Sequence, residues 1–115
     1  MGKRVKEFNE FRARMNERIL AEDNRVIKRV FSVDSLTYQD GALPKKTKEL
    51  LGLSTSMVLR CDDCVAYHIG QCIESGCNKD EIVEAMSVAL VVGGTIVIPH
   101  MRRAIEFMDE MLAEK

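Results

Sequence analysis

The stretch Arg60-Cys61-Asp62-Asp63-Cys64-Val65-Ala66-Tyr67-His68 organises the chain. Two cysteines lie three residues apart, and a histidine follows the second cysteine by four residues. If this stretch opens a helix, positions three and four apart share one face. Cys61, Cys64 and His68 then form one stripe, on which two thiols lie beside a titratable base. Such a grouping is typical of thiol–disulfide chemistry, and the rest of the chain can be interpreted as its support.

Apolar residues recur at helical spacing on both sides of this stretch. The pattern predicts helices over residues 3–21, from Asn24 to about Val33 and from Pro44 to about Arg60. Between the last two, Asp34–Leu43 is predicted to be a loop that could include a short helical turn. A fourth helix runs from the cysteines to Ser75-Gly76, a fifth starts at Asn78 and breaks at Gly93-Gly94, and a last one covers Thr95 to about Ala113. Residues 96–98 could instead form a short buried strand, but no partner strand is evident. We predict a single all-α domain over residues 1–115, a compact arrangement of five to six helices.

Composition argues against several classes of function. The 115 residues carry a net charge of −1, which gives no electrostatic basis for binding nucleic acid or an anionic membrane. The N-terminal segment is too charged for a secretory signal, and the longest uncharged run, Ala85–His100, is too short for an ordinary membrane span. We therefore expect a cytoplasmic protein. Four cysteines in that compartment indicate redox or metal chemistry rather than a structural disulfide, and no cofactor is predicted.

The fifth predicted helix is apolar around much of its circumference between Ile82 and Val91. A helix of this kind needs cover on most sides, and a domain of this length has few other helices to provide it. We therefore expect another copy of the chain to cover part of this surface, which predicts a homo-oligomer. The alternative is that the domain covers the helix alone.

The surroundings of the two thiols decide their reactivity, because a thiol attacks only as the thiolate. The partial positive charge of a helix N-terminus, the adjacent arginine, and His68 one turn beyond Cys64 all favour the thiolate. Asp62 and Asp63 oppose it through their negative charge, and we expect them to cap the helix start. Cys64 is the predicted base-activated thiol. The alternative is the reverse assignment, because the start of a helix would leave Cys61 more open to a bulky partner.

Glu49 is the candidate fourth member of the site. If helices three and four form an antiparallel hairpin that turns near Arg60, Glu49 lies about eleven residues before the turn and His68 about eight after it. At about 1.5 Å per residue, their heights along the hairpin differ by about 5 Å. Glu49 would then orient or charge His68, directly or through one water. The alternative is a solvated helix glutamate, which needs no explanation.

The spacing from Glu49 through Cys61, Cys64 and His68 resembles that of the alkyl hydroperoxidase D and carboxymuconolactone decarboxylase family. The family pattern is a glutamate, a cysteine twelve residues later, and Cys-x-x-Cys-x-x-x-His, all in helices. The segment GGTIVIPHMRRA at residues 93–104 is also similar, and the likeness covers roughly residues 20–110. This chain departs from the best-characterised peroxidases of the family at Asp63, where those proteins carry a histidine.

The resemblance implies an all-helical fold that assembles as a homotrimer or homohexamer. It also implies a CxxC-dependent thiol–disulfide oxidoreductase with peroxidase activity of the peroxiredoxin type in antioxidant defence. In such an enzyme Glu49 and His68 relay a proton from Cys64, and Cys61 closes the disulfide. The substrate would be a hydroperoxide or a protein or small-molecule disulfide, and an external dithiol would donate the electrons. The alternative is a carboxymuconolactone decarboxylase-like enzyme that acts on a small lactone through Glu49 and His68.

Zinc is a rival interpretation of the same segment, whose zinc-competent side chains are Cys61, Cys64, His68 and Cys72. Structural zinc sites usually draw ligands from two separate elements, whereas these four residues would lie along one helix, so we predict no metal site. Cys72 is expected to be a small core residue and Cys77 a weakly exposed bystander in a turn. A packing or interface role is expected for His100.

Overall fold

The computed structural model describes residues 2–114 as six α-helices and one short 3-10 helix. In chain order they are α1 (Lys3–Leu20), α2 (Arg25–Thr37), α3 (Lys45–Val58), α4 (Asp62–Glu74), α5 (Lys79–Gly93), the 3-10 helix (Thr95–Val97) and α6 (Ile98–Leu112). No strand occurs within residues 2–114. The predicted all-α fold is therefore confirmed, and the strand considered for residues 96–98 is wrong.

Local sequence sets most of the helix boundaries. The side chain of Asn24 accepts two backbone N–H groups of the first turn of α2. Asn78 and Glu81 form a reciprocal capping box at the start of α5, as predicted. Gly76 and Gly94 follow α4 and α5 with φ values of 93° and 84°. Glycine adopts this left-handed region without the steric cost of a Cβ, which explains why the helices end at these residues.

α2 is longer than predicted. It extends to Thr37 and so includes the first residues of the segment expected to be a loop, Asp34–Leu43. Lys48 of α3 donates hydrogen bonds to the carbonyl oxygens of Thr37 and Gln39, at 2.9 and 2.7 Å. A cation at a helix C-terminus satisfies carbonyl groups that have no intrahelical partner. This contact comes from a different helix, so the local sequence around Val33 does not predict it.

The core lies between α3, α4, α5 and α6. The most extensive contacts are those of α3 with α4 and α5, followed by those of α4 with α6. The fully buried apolar side chains include Leu53, Met57, Ile69, Cys72, Ile82, Met86 and Met108. α1 packs on α6, where the rings of Phe8 and Phe107 meet edge to face at 5.6 Å. The α3–α4 pair that carries the predicted site is thus held on both sides by other helices.

Two apolar surfaces remain uncovered. α2 buries none of its side chains, and Val26 is 70% exposed. At the end of α5, Val91 is 84% exposed and Val88 and Val92 are also exposed. A single domain therefore leaves part of α5 uncovered. This incomplete cover was the reason for expecting a second copy of the chain. Within residues 2–114, no helix is both long enough and apolar enough to cross a membrane.

Candidate functional site

The site is built on the turn between α3 and α4. α3 ends at Val58, slightly earlier than predicted, and Arg60 takes a left-handed backbone conformation with φ of 61°. The N–H of Cys61 then donates to the carbonyl oxygen of Ser56 at 3.1 Å. This reversal makes α3 and α4 an antiparallel hairpin, as predicted, and places Cys61 at the N-terminus of α4.

Cys61 and Cys64 form a disulfide, with their Cα atoms 5.3 Å apart. Cys61 is the N-cap residue of α4, and its sulfur accepts the N–H of Cys64 at 3.2 Å. Asp62 and Asp63 lie in the first turn, so their predicted role as caps is wrong. The expectation that Cys61 is the more open thiol is also wrong, because Cys64 is exposed and Cys61 only partly so.

Glu49 lies directly against His68. Its Oε1 is 2.8 Å from Nδ1 of the imidazole, and the glutamate is 0% and the histidine 8% exposed. The interpretation of Glu49 as a solvated charge is therefore wrong, and its predicted position beside His68 is confirmed. Because a carboxylate only accepts hydrogen bonds, Nδ1 of His68 carries the hydrogen in this contact. The structure thus pairs Glu49 with His68 and joins Cys61 to Cys64, one helical turn before His68, while the catalytic roles of the four residues stay a prediction.

Lys45 belongs to the same polar cluster as Glu49 and His68, and its place there was not predicted from the sequence. Its Nζ lies 2.7 Å from Oε2 of Glu49 and 3.3 Å from Oε1 of Gln71. The hydrogen bond to Glu49 is the main cause that raises the pKa of Lys45, since it favours the charged ammonium. A buried carboxylate is costly unless it is paired, and Lys45 supplies the charge that pairs it. The i,i+4 spacing of Lys45 and Glu49 on one helix is the signal that could have predicted this contact.

Gly52 makes room for the imidazole. A Cβ built on this residue would lie 2.6 Å from Cε1 and 2.8 Å from Nε2 of His68. Real side chains do not approach this closely, so only glycine fits without displacing the ring. A glycine in the interior of a helix usually has a packing reason, and this signal was available in the sequence.

Two tyrosines pack against His68. The hydroxyl of Tyr38, at the C-terminus of α2, lies 3.4 Å from Nε2. The rings of both Tyr38 and Tyr67 lie 5.2 Å from the imidazole. Tyr67 also carries the guanidinium of Arg12 over its other side, at 4.2 Å from the ring centroid. Tyr38 belongs to the segment expected to be a loop, Asp34–Leu43, so its contact with His68 was not predicted.

A second histidine reaches the same turn from α6. Nδ1 of His100 lies 2.7 Å from Oδ1 of Asp62, and Arg103 approaches the other carboxylate oxygen at 3.7 Å. His100 therefore has a specific hydrogen-bonding partner, beyond the packing role expected for it. Arg103 offsets part of the negative charge of Asp62. Cys61 consequently faces less uncompensated negative charge than its two following aspartates suggest.

Cys72 and Cys77 form a separate pair at the other end of α4. Both are buried, and the backbone N–H of Cys77 donates to the carbonyl oxygen of Cys72 at 2.9 Å. Burial is the main cause that raises the pKa of each thiol. The expected core position of Cys72 is confirmed, and the expectation that Cys77 is weakly exposed is wrong. Within residues 2–114, no group of three or more His, Cys, Asp or Glu side chains is placed to hold a metal ion.

A cleft leads to the exposed thiol between α1, α2 and α4. Its volume is about 370 Å³, and its lining includes Cys64, His68, Tyr67, Phe11, Met15 and Ile19. We call this the thiol cleft. Its walls are mainly apolar, and Arg12 and Asp34 supply charge at its lining. The cleft thus has room for a small organic molecule beside Cys64 and His68.

Comparison with known proteins places this site in a family. The model of the carboxymuconolactone decarboxylase family matches residues 25–107. Two crystal structures of a Thermotoga maritima protein are similar. One shares 50% identity over 95% of this chain and 96% of that chain, with a TM-score of 0.92. The other, 48% identical over 93% and 91% with a TM-score of 0.88, is described as a carboxymuconolactone decarboxylase family protein with a possible involvement in an antioxidative response.

More distant relatives extend the likeness. A carboxymuconolactone decarboxylase family protein of Legionella pneumophila shares the fold, with a TM-score of 0.86 and 21% identity over 95% of this chain and 97% of that chain. Uncharacterised proteins of Cupriavidus necator and Paracoccus denitrificans are each 28% identical, over 65% and 70% of this chain. The matches span 66% and 72% of those two relatives. The chain belongs to the carboxymuconolactone decarboxylase family.

Proposed function

We propose that this protein is a CxxC-dependent thiol–disulfide oxidoreductase with peroxidase activity of the peroxiredoxin type, acting in antioxidant defence. The observation that carries the proposal is the Cys61–Cys64 disulfide one helical turn before His68, which is hydrogen-bonded to the buried Glu49. A disulfide supported by a buried histidine–carboxylate pair has both the redox group and the proton acceptor that thiol chemistry requires. The antioxidative role suggested for the Thermotoga maritima protein is consistent with this activity.

The proposed cycle balances without a cofactor. His68 takes the proton of Cys64, and the thiolate attacks the outer oxygen of the hydroperoxide. The O–O bond breaks, Cys64 becomes a sulfenic acid, and the departing alkoxide takes the proton back from His68 and leaves as an alcohol. The thiol of Cys61 then attacks the sulfur of Cys64, which forms the disulfide and releases water. An external dithiol reduces the disulfide and is itself oxidised. A reducing compartment such as the cytoplasm supplies such a donor, which is why we propose a cytoplasmic location.

Cys64 is the proposed attacking thiol because two features coincide there. It is the more exposed of the pair, and it lines the thiol cleft together with His68. The mainly apolar walls of that cleft suit the organic part of a hydroperoxide or of a small disulfide. Cys61, partly covered at the N-cap of α4, suits the role of resolving thiol.

The test is thiol counting on the fully reduced protein before and after mild hydrogen peroxide, with single-cysteine variants. The wild type should lose two thiols, and peptide mapping should assign them to Cys61–Cys64. Cys64→Ser should lose peroxide turnover, whereas Cys61→Ser should stop after one oxidation, with a sulfenic acid that dimedone traps. The buried Cys72→Ser is the matched control and should still form the disulfide.

Turnover that survives in both Cys61→Ser and Cys64→Ser would exclude the redox proposal. Activity on a small lactone in those variants, lost in Glu49→Gln, would instead establish the alternative, an acid–base enzyme that does not use the thiols. The same assay series therefore separates the two functions.

We propose in addition that the protein assembles as a homotrimer or homohexamer. The support is the uncovered apolar side chains of α2 and of the end of α5, since such surfaces usually mark interaction sites. Sedimentation equilibrium of the wild type measures the mass. A monomer at micromolar concentration would contradict the proposal.

A further inference from the structure

Both ring nitrogens of His68 are occupied while the disulfide is closed. Nδ1 donates to Glu49 at 2.8 Å, and Nε2 faces the hydroxyl of Tyr38 at 3.4 Å. In a neutral imidazole with its hydrogen on Nδ1, Nε2 is an acceptor, so the Tyr38 hydroxyl donates to it. The proton of a thiol can therefore enter His68 only at Nε2, which is the atom that Tyr38 covers.

The surroundings of Tyr38 keep its hydroxyl protonated. Burial raises the pKa of Tyr38, and the negative charges of Asp34 and Glu49 raise it further. The ring of Tyr38 packs on the imidazole with an interplanar angle of 46°. The hydroxyl is thus held beside Nε2 by the position of the ring, but the hydrogen bond itself is long and opens easily.

We propose that Tyr38 is a positioning residue that acts on the thiols through His68. Its hydroxyl donates to Nε2 while His68 is neutral, and after a bond rotation it accepts the N–H that forms when His68 takes the thiol proton. A phenol hydroxyl can fill both roles, since it has one donor and two lone pairs. The inference rests on the proposed proton transfer from Cys64 to His68.

The second of these hydrogen bonds should be the stronger, because its donor is a charged imidazolium. Tyr38 therefore favours the pair of thiolate and imidazolium over the pair of thiol and imidazole. The other charged or titratable groups near His68 come from α1, α2, α3 and from α4 itself, and they remain unchanged in the test: Arg12, Asp34, Lys45, Lys48, Glu49, Asp63 and Tyr67.

The test compares Tyr38→Phe, which keeps the ring and removes the hydroxyl, with Thr37→Val as a matched control. Thr37→Val removes a neighbouring hydroxyl, which donates to the carbonyl oxygen of Val33 in its own helix at 2.8 Å and not to His68. The readout is the rate at which iodoacetamide alkylates Cys64 in the reduced protein as a function of pH, because alkylation reports the thiolate and needs no peroxide.

In Tyr38→Phe the midpoint of that profile should move upwards by ~0.5 to 1 pH unit, while Thr37→Val should match the wild type. The nitrogen-15 resonance of Nε2 should also move in Tyr38→Phe, since it loses its hydrogen bond. Equal midpoints in Tyr38→Phe and the wild type, or an unchanged Nε2 resonance, would overturn the inference. A shifted midpoint in a protein that never consumes peroxide or disulfide would refute the proposed function and leave the role of Tyr38 intact.

Discussion

Substitution of Gly52 by alanine tests whether the position of His68 governs the site. The new Cβ would lie 2.6 Å from Cε1 and 2.9 Å from Nδ1 of the imidazole. Ordinary contacts between such atoms begin near 3.5 Å, so the ring must move by roughly 1 Å. A displacement of this size, in a buried ring whose Nδ1 lies 2.8 Å from Glu49, strains or breaks the hydrogen bond between them.

Gly70→Ala is the matched control, because Gly70 is also in a helix interior and an added Cβ would meet only Met111, at an ordinary 3.5 Å. Both variants gain about 1 kcal/mol of helix propensity. Overpacking costs Gly52→Ala about 1–3 kcal/mol in addition. We therefore expect the free energy of unfolding of Gly52→Ala to lie about 1–3 kcal/mol below that of Gly70→Ala.

Urea denaturation measures the stabilities, and oxidation of the reduced proteins by hydrogen peroxide measures the activity. Gly70→Ala should oxidise at the wild-type rate. Gly52→Ala should be at least about 10-fold slower, because misplacement of a general base by about 1 Å has effects of this size or larger. If Gly52→Ala had wild-type activity and the same free energy of unfolding as Gly70→Ala, His68 would tolerate displacement, and the reasoning would be refuted.

Two further predictions concern charge and pH. Glu49→Gln keeps the shape of the side chain but removes the carboxylate, and peroxide-driven disulfide formation should fall about 100-fold, measured by stopped flow, with only a small change in urea midpoint. Stability should decline above about pH 8.5, because the unfolded chain then loses the Cys72 proton that the folded chain keeps. Cys72→Ala should flatten this decline by up to about 1.4 kcal/mol per pH unit between pH 9 and 10, and an unchanged slope would contradict it.

The parts of the site that lie on regular helices could be predicted from the sequence. The hairpin of α3 and α4 needs only two helical periods and a turn, and helix geometry then brings Glu49 to the height of His68. The capping box of Asn78 and Glu81 is equally local. Spacing along the chain determines these contacts, so they follow before any tertiary structure is known.

The remaining parts depend on contacts between distant segments. Tyr38 reaches His68 because α2 continues to Thr37, and Lys48 of another helix satisfies the carbonyl groups at that end. Likewise, the pairing of His100 with Asp62 requires the packing of α6 on α4. The cap of α4 was mispredicted for a different reason, since Cys61 takes a position that aspartate usually prefers.

The position of Cys61 as the N-cap gives the two thiols of the disulfide unequal chemistry. A sulfur at a helix N-terminus is stabilised as an anion by the N–H groups and the dipole of the helix, and the N–H of Cys64 already points at this one from 3.2 Å. A stabilised thiolate leaves faster in thiol–disulfide exchange. An incoming dithiol that attacks the exposed Cys64 therefore expels Cys61, the better leaving group. His68 lies one helical turn from Cys64, the cysteine that must later be deprotonated again. We infer that Cys64 meets the outside partner in both halves of the proposed cycle.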